Sequence, residues 1–227
     1  MDQVVQRAFY EGRFLTTLQA GAYTFAQVRH FALQYSFYSR HFPRVLGAAV
    51  AAMPPDDRWW IPIADNLWDE AGRGIAGRSH AVLYRSFLQS VDPKLQFEAD
   101  GTPVGVLPSS AVLGAIDTFL DVLRTAEPVA AMAAVGLGSE YFAGEVMGAI
   151  AAGLRHPQYN AVHPLDLTFW DVHAGRHEPR HYALCKEVLV TYHDPQTLRL
   201  MFEVGQQIAL SEARMYDQLH DEMIALK

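Results

Sequence analysis

Residues 24–53 read TFAQVRHFALQYSFYSRHFPRVLGAAVAAM, and this stretch decides the fold class. Phe25, Val28, Phe31, Ala32, Tyr35, Tyr38 and Phe42 recur at the three- and four-residue spacing that lines one face of an α-helix. Thr24 can cap the first turn, because its short side chain accepts from an otherwise unpaired backbone N–H. Pro43 is expected to kink the helix, and the Pro54-Pro55 pair to end it. The alternation typical of half-buried strands is absent, so the segment predicts one long, largely buried helix.

The pattern extends outward from there. A second helix is expected over Asp57–Glu70, interrupted by the glycine-rich stretch Gly72-Arg-Gly-Ile-Ala-Gly77 before a third over Ser79–Ser90. Gly101, Pro103, Gly105 and Pro108 mark residues 92–108 as a loop. Helices follow at Ser110–Thr125, Pro128–Ala133 and Ser139–Leu154, then a turn at His156–Asn160, then helices at Pro164–His173, Pro179–Tyr192 and Pro195–Met223. No repeat, low-complexity tract or long linker divides the chain. Residues 1–227 are therefore expected to form a single all-α domain, a helical bundle.

Composition narrows the function classes. Half of the 227 residues are apolar and 19% are charged, which is ordinary for a globular protein. A formal charge of -7 argues against nucleic acid or anionic membrane as partners. The longest apolar runs are far shorter than the ~20 residues of a membrane helix. The N-terminal Met1-Asp2-Gln3-Val4-Val5 lacks the basic and apolar regions of a signal peptide. Cys185 is the only cysteine, which excludes an intrachain disulfide and fits a reducing cytoplasm.

Ten histidines and several carboxylates in helical surroundings raise the question of a metal site. Hard iron ions take carboxylate and imidazole ligands, which bundles supply from several inward-facing helices. Glu70 ends one helix, and His80 opens the next. Glu140 lies among Val135, Leu137, Phe142, Val146 and Ile150, and a carboxylate buried there needs a partner or a metal. The densest cluster is Phe169-Trp-Asp-Val-His173-Ala-Gly-Arg-His177-Glu178-Pro-Arg-His181. Each piece also has a plainer reading. A lone Glu at a helix end is usually solvated, and the 173–181 cluster can be an exposed polar junction.

Taken in order, these residues resemble the haem-oxygenase-like di-iron oxidase and oxygenase family, whose seven-helix fold is shared with haem oxygenase, thiaminase II and pyrroloquinoline-quinone synthase. That family pairs a Glu in an Asn-Leu-x-x-Glu helix end with a His opening the next helix, a later Glu, and a closing His-x(3)-Asp/Glu-x(2)-His element. The matching positions here are Glu70, His80, Glu140, His173, Glu178 and His181, within a resemblance running from about Phe31 to the C-terminus. It implies two iron ions (or manganese) held by these six residues, O2 as co-substrate and oxidation of a small molecule, with an external electron donor and a homodimer compatible with it. One spacing departs from the family: four residues rather than three separate His173 from Glu178. On a regular helix such positions lie roughly 140° apart, and a π-bulge would bring them closer. His177 is the alternative to Glu178, since His173, His177 and His181 recur every four residues.

N-oxygenases of that family carry a further carboxylate on the early core helix, whereas no Asp or Glu occurs here between Glu11 and Asp56. That favours desaturation, C–C cleavage or decarboxylation of an amino-acid- or fatty-acid-like substrate. Phe31, Tyr35, Tyr38 and Phe42 are expected as pocket walls, unless they are plain core. Arg40, with Arg44, is expected to hold a substrate carboxylate, unless the pair is a solvated face. Tyr141 and Trp170 are expected beside the ligands. Three rival readings stand next to this one: a metal-free thiaminase-like or quinone-synthase-like enzyme, a haem oxygenase with His30 as axial ligand, and a helical interaction protein. A ferritin-like site would need two Glu-x-x-His pairs, and only Glu178–His181 matches. Glu212, Asp217 and His220 read as the solvated face of the last helix.

Overall fold

In the computed structural model the chain is described over residues 1–226, the side chains of residues 176–179 excepted. Three short helical pieces open it: α1 (Asp2–Val5), a π-helical turn over Gln6–Tyr10, and α2 (Arg13–Gln19). These precede the first helix expected from periodicity. That helix, α3 (Phe25–Ala52), starts at a reciprocal cap in which Gln27 N–H donates to Thr24 Oγ1 and Thr24 N–H donates to Gln27 Oε1. Pro43 sits inside it, and the helix runs on without a break.

Helix α4 (Asp57–Glu70) coincides with the expected span and is capped by Asp56, which accepts from the N–H of Arg58. A 3₁₀ turn over Gly72–Gly74 leads to α5 (His80–Val91). The expected loop then follows; an isolated antiparallel bridge between Phe97 and Pro103 is the only extended pairing among the described residues. The loop is tied to α3, for Gln34 donates to the carbonyl of Leu107 and accepts from the N–H of Ser109. Arg40 reaches the same loop, donating to Thr102 Oγ1 (2.6 Å) and to the carbonyl of Asp100 (2.7 Å).

The remaining helices are α6 (Ser110–Thr125), α7 (Pro128–Val135), α8 (Tyr141–Leu154), α9 (Thr168–Val172), α10 (Glu178–Leu189) and α11 (Pro195–Ala225). A π-helical turn over Gly136–Glu140 fuses α7 to α8, and another over His173–His177 fuses α9 to α10. Among the described residues the bundle thus consists of seven long rods, and it is all-α as expected. Rod α3 packs against α4, α5, α6, α7 and α11. An aromatic stack of Phe14, Phe31, Tyr35, Trp170 and Tyr216 fills the middle. Among the described residues, no helix is long and apolar enough to cross a membrane.

Candidate metal centre

Where α4 ends, Asp69 and Glu70 turn into the bundle and are both buried. Glu70 meets His80 from the first turn of α5 and His173 from the π-turn that follows α9. His80 Nδ1 lies 2.8 Å from Glu70 Oε1, and His173 Nε2 lies 4.0 Å from the same oxygen. One donor atom from each of the three residues falls within 4.8 Å of the others, and all three side chains are buried. One ion about 2.1 Å from each atom could bridge that spread after small adjustments. His173 is also oriented for the task. Its Nδ1 lies 2.6 Å from the carbonyl oxygen of Phe169, which can only accept, so Nδ1 carries the proton and Nε2 keeps its lone pair. The donor set is one carboxylate and two imidazoles, which suits a first-row transition metal such as iron.

A second group adjoins the first through α4. His181 Nε2 lies 2.9 Å from Asp69 Oδ2, and its Nδ1 lies 3.5 Å from Glu140 Oε2. Asn66 donates to Glu140 Oε1 at 2.8 Å. Asp69 is gripped by Arg73 (2.5 Å) and Arg180 (2.7 Å), which also neutralise it. Glu140 and His181 therefore face each other in the interior, tied to α4 through Asn66 and Asp69.

Between α3, α8, α9 and α11 a small cavity opens onto Glu70 and His173 of the triad. Glu70 and His173 lie in its wall, alongside Tyr35, Tyr38, Phe42 and Tyr216. Glu212 of α11 lines it too. Glu212 is 8% exposed, so the last helix is not solvated there, contrary to the sequence expectation. Burial pushes its carboxyl up to about 7, against hydrogen bonds from Tyr216 and Tyr38 that lower it. Burial likewise raises the Tyr38 and Tyr216 hydroxyls well above the ordinary range.

The other nominated residues are placed as follows. Tyr35, Tyr38 and Phe42 line the cavity, while Phe31 lies in the aromatic stack between Phe14 and Trp170. Trp170 is fully buried among Phe31, Tyr35, Tyr84 and Phe87. Tyr141 turns outward, since the residue after Glu140 is rotated by about 100°; its hydroxyl donates to Asp2 and its ring packs on Tyr182. Arg40 holds the 92–108 loop instead of lining the cavity, and Arg44 is exposed. His30 is paired with Glu222 at 2.8 Å. The side chains of His177 and Glu178 lie outside the described residues, although the backbone between them and His173 takes the π-helical turn that the long spacing requires.

Sequence reasoning passed over two residues. Asp69, hidden beside the more evident Glu70, partners His181. Glu212 carried a signal, for Ile208, Ala209, Met215 and Tyr216 surround it at helical spacing, the same criterion that singled out Glu140.

A model of a family described as iron-containing redox enzymes matches residues 29–212, a span that contains every residue of both groups. The fold is that of several solved structures. A CADD-like protein of unknown function from Nostoc punctiforme superposes with a TM-score of 0.74 at 15% identity, covering 98% of this chain and 90% of that one. A domain of unknown function with a haem-oxygenase-like fold from Shewanella denitrificans gives 0.70 at 18% identity, with coverages of 97% and 87%. A TenA family transcription regulator from Silicibacter gives 0.69 at 13% identity, with coverages of 95% and 91%. At such identities the likeness speaks for the fold alone. Among curated proteins, none matches the sequence.

Proposed function

The chain belongs to a family of iron-containing redox enzymes, and from that premise we propose that it is a non-haem di-iron oxidase or oxygenase acting with O2 on a small organic substrate. The observation that carries this reading is the buried meeting of Glu70, His80 and His173 at the wall of an aromatic cavity. These three residues would hold one ion, and Glu140 with His181 would contribute to a second; Glu178 or His177 completes the set. Iron bound there would supply one-electron redox chemistry and the activation of O2.

The chain's own groups do the rest. The Phe169 carbonyl keeps the proton on His173 Nδ1, so Nε2 stays a ligand. Asn66 orients Glu140, and Arg73 and Arg180 hold Asp69 against His181. Val146, Met147 and Phe169 line the cavity and exclude bulk water, which protects a reactive oxidant from side reactions. Taking O2 to water needs four electrons, and a two-electron oxidation of substrate supplies half of them. Where O2 is taken all the way to water, the other two electrons come from an external donor. With no acidic residue on α3, desaturation, C–C cleavage or decarboxylation is favoured over N-oxygenation.

A metal-free, cysteine-dependent relative is the competing reading. Cys185 speaks against it, being buried with its thiol pushed far up by desolvation and lying outside the cavity wall. The deciding experiment is anaerobic loading with ferrous iron, counting bound iron per chain and following visible absorbance after mixing with O2. About two irons and a transient band are expected. An intact fold that takes up no iron would overturn the proposal in favour of the metal-free reading.

A further inference from the structure

We propose that the cavity selects a substrate bearing a primary amino group, and that Glu212 is the residue that holds it. The inference deepens the redox reading and rests on it for the fate of the bound molecule, but not for the binding itself.

Glu212 is an acid buried in the interior, and its hydrogen-bond partners among the described residues are hydroxyls. Tyr216 donates to Oε1 at 3.3 Å, and Tyr38 hydrogen-bonds it as well. Hydroxyls stabilise a carboxylate but bring no countercharge. Among the described residues lining the cavity there is no lysine or arginine, and the wall instead contains a second acid, Glu70. Glu140 adds repulsion from behind. Arg40, the cation that the sequence offered for a substrate carboxylate, is engaged by Thr102 and Asp100 of the loop.

In the iron-free protein a ligand carboxylate near Glu212 would meet like charge with no lysine or arginine in the described wall, and the Nε2 of His173, the histidine there, is turned toward Glu70. An ammonium group would supply the missing charge and up to three N–H donors. The rings of Tyr35, Tyr38 and Tyr216 lie in the same wall, and aromatic faces attract cations. Phe42, Val146 and Met147 provide apolar surface for a short carbon chain. The ligand class that fits is thus a small aliphatic primary amine, free or as part of a larger molecule.

The test is calorimetric titration of the full-length, iron-free protein with pentylamine, 1-pentanol and pentanoate at neutral pH. Pentylamine should bind at least tenfold more tightly than either of the others. Glu212→Gln should remove most of that gap, and Glu212→Asp should keep part of it. Equal or tighter binding of pentanoate by the wild-type protein would overturn the inference without recourse to any variant. So would failure of pentylamine to bind, or a preference undiminished in a folded Glu212→Gln protein. Iron is counted on the same preparation after loading. Amine preference without iron uptake sinks the redox reading alone, and iron uptake without amine preference sinks only the present inference.

Discussion

The ring of His173 is oriented by the backbone carbonyl of Phe169, and that contact converts an ambiguous imidazole into one with a defined lone pair. Replacing His173 with Ala should remove iron from the triad while leaving far-ultraviolet circular dichroism unchanged; undiminished iron per chain would contradict its role as ligand. Glu212 yields a second residue-scale prediction. Its folded pKa of about 7 exceeds the ordinary 4.5, so between those values the folded state binds more protons than the unfolded one. Stability should therefore fall as pH rises across that window, by up to about 3 kcal/mol. Urea unfolding of the iron-free protein at pH 5 and pH 8 would measure the fall, and Glu212→Gln should flatten it. An unchanged pH dependence in that variant would assign the effect to other groups.

At the scale of elements, the π-helical turns over Gly136–Glu140 and His173–His177 matter most, because Glu140 ends one and His173 begins the other. Each adds one residue to a turn and so rotates the side chains beyond it, which is how such turns re-aim residues at functional sites. The first turn is wedged against α11 at a close crossing. A Cβ on Gly138 would stand 2.7 Å from Ile208 Cβ, and one on Gly205 would stand 2.8 Å from Leu137 Cβ. Glu140 follows this crossing by two residues on one side, and Glu212 follows Ile208 by about one turn on the other. Gly138→Ala should cost about 1–3 kcal/mol of stability through overpacking and weaken iron binding as well, measured by the urea midpoint and by iron per chain. If the midpoint stays in place, the crossing tolerates a methyl group and the tight packing is not what positions these acids.

At the scale of the whole molecule, the proposed ligands come from four separate stretches of chain, so an ion bound by all of them should tie the bundle together. Ferrous iron at 100 times its dissociation constant would add about 2.7 kcal/mol, or roughly 5–10 °C in melting temperature for a chain of this size. Anaerobic thermal denaturation with and without a chelator checks this. The same rise in His173→Ala would mean that the ion acts elsewhere.

Much of the helical frame was legible in the sequence. Asp57–Glu70 and Ser110–Thr125 are bounded in the structure as periodicity and breakers indicate, since capping and proline effects act within a few residues. The ordered carboxylates and histidines were legible as well, because ligand chemistry is carried by residue type. The direction each helix faces was not. Glu212 and Arg40 carry opposite charges on helices of similar pattern, yet the acid is buried in the cavity and the cation is turned to a loop. Which side of a helix is covered depends on partners distant in the chain, and a single inserted residue in a π-turn shifts every side chain after it. By itself the sequence determined the all-helical class and the kinds of donor available. Only the tertiary structure decided that Glu70, His80 and His173 converge and that Asp69 binds His181. It also lined the cavity with acids, since burial and countercharge arise from packing between helices.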